Sequence, residues 1–230
     1  MRTKIEVEAV TVWAGGKEIL HQVTTSIPEK QIFTIVGPSG AGKSTFLRTI
    51  NRLVETRSGE IRLDGKSVKE MEPVTLRKKV GMVFQIPMAF EGTVEENLLI
   101  GPRLNSMEPP DVSGLMDMVG LSRSFLKRKA NELSVGEQQR MCIGRAIANR
   151  PEVLLMDEPT ASLDPDSARV VEDLILELKE IGQLTLVVVT HDVEQGKRIG
   201  DWTMLMNEGR SMRTMPSHEF YESYKIGGKI

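Results

Sequence analysis

The segment that most restricts this 230-residue chain is "QIFTIVGPSGAGKSTFLRTI", residues 31–50. A short apolar run ends in a turn with three glycines in six residues, and a helical pattern follows. Gly37, Gly42, Lys43 and Ser44 satisfy G-x-x-x-x-G-K-[ST] in the strand–loop–helix setting that gives the pattern its meaning. The candidate phosphate cradle runs through Gly37, Pro38, Ser39, Gly40, Ala41, Gly42, Lys43, Ser44 and Thr45. Its glycines let backbone N–H groups approach phosphate oxygens. Lys43 brings a positive charge to the β- and γ-phosphates, and the Ser44 hydroxyl ligates Mg²⁺.

The apolar runs around this loop predict its scaffold. "KKVGMVFQ" (78–85), "EVLLMDEPT" and "LTLVVVTHD" read as buried strands, separated by helical stretches. In "DSARVVEDLILELKEIG", Val170/Val171, Leu174, Ile175, Leu178 and Ile181 share one face, and Gly182 is a natural stop. Phe46, Leu47, Ile50 and Leu53/Val54 do the same for the helix after the loop. Such alternation predicts a three-layer α/β fold with a mostly parallel sheet. Residues 4 to about 35 and "SGEIRLDGKSV" read as strands with turns, and "TMLMNEGR" closes the pattern before a frayed "YKIGGKI". From Ile86 to Asn149, prolines and helical patterns indicate a helical insertion.

In a parallel α/β sheet, ligands sit at the carboxyl ends of strands. Four such ends carry polar groups: the glycine loop, Gln85, Asp157/Glu158 and His191. Asp157 is placed for the metal and Glu158 as general base for an attacking water. Gln85 can sense metal and water, and His191 can hydrogen-bond a γ-phosphate.

Composition excludes several alternatives. A net charge of −2 gives no global electrostatic case for nucleic acid or an anionic membrane. The lone Cys142 allows no intramolecular disulfide and fits a reducing compartment. "MRTKIEVEAVTVW" alternates like a strand and has no apolar signal region, and no apolar run approaches membrane-spanning length. Work at a membrane would need a span supplied by another chain.

"ELSVGEQQR" (132–140) poses a separate question. Ser134 and Glu137 form an S-x-x-E capping box at the start of a helix, and a helix N-terminus attracts anions. Which anion it awaits is open at this point, because the obvious phosphate loop lies about a hundred residues earlier.

Taken together, "GPSGAGKST", Gln85, "LSVGE", "VLLMDE", "ASLD" (161–164) and His191 resemble, in order and spacing, the nucleotide-binding subunit of ABC transporters. The resemblance covers nearly the whole chain. It implies one ATPase domain over 1–230: a RecA-like core with an N-terminal antiparallel β subdomain (1–85 and 150–230), and a helical subdomain (86–149). The cofactors implied are ATP and Mg²⁺, with Ser44, Gln85 and Asp157 toward the metal and Glu158, Gln85 and His191 toward hydrolysis. Trp13 stands where the family stacks an aromatic on adenine. Two ATPase subunits, here a homodimer, pair head-to-tail in such proteins, and each signature meets the ATP held by the other. The helix at Ser134 then awaits the partner's γ-phosphate, with Ser134, Gly136 and Glu137 beside it and Asp164 linking the two sites.

The resemblance also implies a separate transmembrane permease and a peripheral position on the cytoplasmic face of the inner (plasma) membrane. No nucleic acid partner is expected. Val135 and Glu137 depart from the common "LSGGQ", and Glu137 puts a carboxylate near another chain's triphosphate. "LSVGE" with "GTVEENL" is similar to a bacterial and plant subgroup of metal export or aluminium tolerance, and "FEGTVEENLLIGPRL" is similar to phosphate-import ATPases. Met88, Ala89 and Phe90 fall where the family docks a helix of the membrane subunit. The competing readings are a soluble ABC ATPase of nucleic acid or ribosomes, and a P-loop kinase or GTPase. A single phosphate loop without heptads opposes the first, and "LSVGE" together with "ASLD" and His191 opposes the second.

Overall fold

The computed structural model describes residues 2–181 and 184–227. The chain opens with β1 (Thr3–Ala14), β2 (Lys17–Pro28), β3 (Ile32–Val36), α1 (Lys43–Ile50), β4 (Ser58–Leu63) and β5 (Lys66–Ser67). Next come α2 (Pro73–Lys79), β6 (Val80–Val83), α3 (Val94–Leu104), α4 (Val112–Met118) and α5 (Val135–Ile147). It finishes with β7 (Val153–Asp157), α6 (Pro165–Glu180), β8 (Thr185–Val189), α7 (Val193–Ile199), β9 (Trp202–Asn207), β10 (Arg210–Pro216) and α8 (Ser217–Gly227).

Two sheets result. The order β2-β1-β4-β5 is antiparallel throughout, and its first hairpin turns at Gly15 and Gly16, both at positive φ. The larger sheet has the order β10-β9-β3-β8-β7-β6 and is parallel except for the β9–β10 pair. Every residue of β3, β7 and β8 is buried, as strands covered on both faces must be. Alternation along β7 divides the core: Val153 and Leu155 join Ile5, Leu20, Phe33 and Phe46 between the sheets. Leu154 and Met156 join Leu98, Met141, Val171 and Ile175 under the helices.

The α/β class with a mostly parallel sheet is therefore correct, but several local boundaries differ from the sequence reading. Lys78 and Lys79 belong to α2, which starts at Pro73 with the Glu72 side chain accepting from the Thr75 N–H. β6 spans only four residues, and Phe84 and Gln85 lie beyond it, exposed. α1 stops at Ile50, leaving Leu53 exposed, and Val170 and Ile181 also face outward. α2, α7, β10 and α8 escaped the sequence reading. β10 is an outer strand without a single fully buried residue, and its sequence, "RSMRTMP", has little apolar signal. It reaches the other sheet through Thr214 Oγ1, 3.0 Å from Thr25 Oγ1. α8 continues through Gly227 into the segment read as frayed, whereas Gly182 and residues 228–230 lie outside the described residues. Between 86 and 149 the structure holds α3, α4, α5 and two short 3-10 turns. No described helix is long and apolar enough to cross a membrane.

Candidate nucleotide site

The glycine loop leaves the end of β3 and enters α1. Gly37 has φ +150°, and a Cβ there would sit 2.0 Å from the Met206 carbonyl oxygen of β9. Gly42, at φ +91°, would press a Cβ to 2.9 Å from Leu20 Cδ2. Both positions therefore exclude side chains, for backbone conformation and for space. Six helices, α2 to α7, begin with a side chain that accepts from their own N–H groups. α1 begins at Gly42 with no side-chain cap, so its first amides keep their capacity for an external anion.

Lys43 is buried, and its Nζ donates to the Gly37 and Pro38 carbonyls at 2.8 and 2.9 Å. Burial lowers its pKa from 10.5, while the Glu158 and Asp157 carboxylates act in the opposite direction. Ser39 and Gly40 are exposed, Ala41 is buried, and Thr45 is half-buried on the first turn.

β7 ends beside this loop. Asp157 is 1% exposed; the Ser44 hydroxyl donates to its Oδ1 at 2.6 Å, and Arg48 Nη2 to its Oδ2 at 3.0 Å. Arg48 was not singled out in the sequence, although its i, i+4 spacing from Ser44 places it on the same helix face. Glu158 follows in the left-handed region, φ +46°, which turns its side chain away from Asp157's route. Its Oε2 lies 2.9 Å from His191 Nδ1 at the end of the neighbouring strand β8. Glu158, Thr160, His191, Gln195 and the facing sides of α6 and α7 wall an open cleft of about 750 Å³. Gln85 follows β6 on the same edge and is exposed; its neighbour Phe84 accepts from Gln139 Nε2 of α5 at 3.3 Å.

The remaining candidates lie apart from this cluster. Ser134 and Glu137 satisfy each other: Glu137 N–H donates to Ser134 Oγ at 3.3 Å, and Ser134 N–H to Glu137 Oε2 at 2.8 Å. The Ser134 N–H bond lowers the Glu137 pKa, so a carboxylate sits on the first turn of α5. Gly136 is buried against α6, where a Cβ would meet Ser167 Oγ at 2.9 Å. Asp164 caps α6 by accepting from the Asp166 and Ser167 N–H groups at 3.1 and 3.0 Å. Trp13, 46% exposed, is covered by the Arg57 guanidinium, 5.0 Å from its ring centroid.

A second surface lies along residues 86–90. Ile86, Met88 and Phe90 are exposed. Asn97 holds Phe90 from both sides, accepting from its N–H at 2.8 Å and donating to its carbonyl at 3.0 Å. Arg145 donates to the Met88 carbonyl at 2.8 Å and lies 4.5 Å from the Phe90 ring centroid. Phe90 lines two clefts, of about 420 and 240 Å³. The basic run 127–129 is a solvated face, with Lys127 on Glu95 and Arg128 near Glu132.

A glycine loop between a central parallel strand and an uncapped helix, with a buried aspartate against the loop serine, defines a P-loop nucleotide hydrolase. The profile of the family described as "ABC transporter" matches residues 20–161, so the chain belongs to that family and is one of its ATPase domains. It is 41% identical to "ABC transporter I family member 17" of Arabidopsis thaliana, over 94% of this chain and 83% of that one. It is 40% identical to the phosphate import ATP-binding protein PstB of Campylobacter jejuni, over 94% and 92% of the two chains. The second carries the name of one subgroup that the sequence resembles, the phosphate-import ATPases. Among solved structures, cbiO1 of Clostridium perfringens, part of the cbiONQ transporter complex, superposes with a TM-score of 0.87 at 26% identity, covering 98% of this chain and 93% of that one. A dimeric ATP-binding cassette with ADP and Pi gives 0.80 at 30% identity, over 93% and 98%.

Proposed function

We propose that this chain is the ATP-hydrolysing subunit of a membrane transporter, working as a head-to-tail dimer on a separate permease at the cytoplasmic face of the inner (plasma) membrane. The observation that carries this reading is the uncapped α1 beside the Ser44–Asp157 pair, in a chain related to a phosphate import ATP-binding protein.

The loop amides bind the phosphates, and Lys43 exchanges its two carbonyl partners for β- and γ-phosphate oxygens. Ser44 and Asp157 offer hard oxygen donors suited to Mg²⁺, and Gln85 completes that side of the site. No described cluster of three or more His, Cys, Asp or Glu residues could cage a metal. That fits an ion held by few protein oxygens plus the nucleotide. When bound, Mg²⁺ neutralises charge on the β- and γ-phosphates. Glu158 takes a proton from the attacking water, and His191 holds the γ-phosphate while steadying Glu158. Trp13 stacks on adenine once Arg57 yields that face. Ser134, Gly136 and the first amides of α5 meet the ATP of the partner subunit, and Asp164 links the two sites. Residues 86–149 form the helical subdomain, and Met88, Ala89 and Phe90 receive the permease.

Glu158→Gln tests the shared site. The variant should lose hydrolysis and, with saturating ATP, elute as a dimer from a sizing column. A variant that stays monomeric under those conditions overturns head-to-tail sharing.

A further inference from the structure

Glu158 is held at one end by His191, but the turn that carries it has a second support. Glu158 is a non-glycine residue at φ +46°, a conformation that persists only when its surroundings impose it. Inside the turn, the Ala161 N–H donates to the Glu158 carbonyl at 3.2 Å, and the Leu163 N–H to the Thr160 carbonyl at 3.1 Å. Thr160 Oγ1 accepts from Gln195 Nε2 of α7 at 2.7 Å. The same nitrogen donates to Glu172 Oε1 of α6 at 3.0 Å. Glu172 in turn takes both arms of Arg198, Nε and Nη2, at 2.8 Å each.

The Arg198–Glu172 fork would tie α6 to α7 without help. Gln195 extends it to Thr160, which belongs to neither helix and stands two residues from Glu158. Gln195 is 2% exposed and Glu172 is 7% exposed, so both side chains are largely shielded and their mutual hydrogen bond is strengthened. The amide suits this place without adding a charge: its NH₂ has two protons, one for each acceptor.

We infer that Gln195, anchored by Glu172, is a positioning residue for hydrolysis, holding Thr160 so that Glu158 and His191 keep their 2.9 Å contact. This rests on the proposed role of Glu158 as base. It adds a residue that no motif marks.

Gln195→Glu is the test. The new carboxylate would face Glu172 across the distance that the amide now bridges, and only a shared proton relieves the repulsion. Arg198 and Asp192 on α7, Arg169 and Asp173 on α6, and Glu158 and His191 at the strand ends surround the pair. The readout is the ratio of the variant to the wild-type kcat, measured at each pH. With the full chain and Mg-ATP, that ratio should fall about tenfold from pH 6 to pH 8.5, with KM for ATP unchanged. Thr160→Val should lose about tenfold in kcat, and Thr160→Ser should restore it. A ratio flat across this pH range, or wild-type kcat in Thr160→Val, overturns the inference. If Gln195→Glu does not fold, the Thr160 pair alone decides. Glu158→Gln run alongside separates the two readings. Retained hydrolysis there removes the base itself, whereas lost hydrolysis with unaffected Gln195 and Thr160 variants removes only the positioning role.

Discussion

The Ser44 hydroxyl donates to Asp157 Oδ1 across 2.6 Å, although 113 positions separate the two residues in the chain. Arg48 holds the other carboxylate oxygen, so Asp157 is fully engaged by α1. Asp157→Asn keeps the shape and removes the charge. The Mg²⁺ concentration needed for half-maximal ATP binding should rise about tenfold, with metal-free ATP binding little changed. Titration of a fluorescent ATP analogue at varied Mg²⁺ reads this directly. An unchanged Mg²⁺ requirement removes Asp157 from the metal site.

Lys43 is folded onto two loop carbonyls, which phosphate oxygens are proposed to replace. Lys43→Ala should weaken ATP binding about 10- to 100-fold, the range expected for losing charged hydrogen bonds. Calorimetry on folded protein checks it. Wild-type affinity would contradict the assignment.

Glu137 closes the capping box at the signature helix and keeps a carboxylate where a partner's phosphate is proposed to arrive. Glu137→Gln keeps the box, because the amide oxygen also accepts. It should strengthen ATP-dependent dimer formation about three- to tenfold in the Glu158→Gln background. Equal or weaker dimerisation, by analytical ultracentrifugation, goes against a phosphate at this helix.

The same carboxyl gives a pH prediction. The Ser134 N–H lowers the Glu137 pKa below its ordinary 4.5. Its contribution to stability is therefore complete above about 4.5 and is lost as pH falls through the lower folded value. Glu72 and Glu96, held by the Thr75 and Thr93 N–H groups, act in the same direction. The urea midpoint should fall below pH 4.5, and less steeply in Glu137→Gln.

Phe90 sits under Arg145 with its backbone clamped by Asn97. Phe90→Ala should weaken association with the permease about 30-fold, as for a central aromatic anchor, and leave ATP binding at wild-type strength. Co-purification with the membrane subunit and a nucleotide titration measure the two effects. Equal loss of both would count against a docking role for Phe90.

Where the chain signals locally, the fold was readable. β3, β7 and β8 are short uniformly apolar runs, and Gly37, Gly42 and Lys43 occupy fixed offsets from one of them. Periodicity overreached at Leu53, Val170 and Ile181, whose apolar side chains lie exposed. It missed α7, whose seven residues carry too little pattern, and β10, whose outer position demands none.

The sequence by itself determined the phosphate loop, the strands around it, the capping box of "ELSVGEQQR" and the family. Each depends on residue type at short, fixed spacing. Only the tertiary structure decided that Arg48 shares Asp157 with Ser44, that Gly136 is a glycine because Ser167 lies against it, and that Gln195 reaches Thr160. Those relations join side chains from different helices and strand ends. Their partners are chosen by how α1, α5, α6 and α7 pack on the sheet, which no periodicity along the chain encodes.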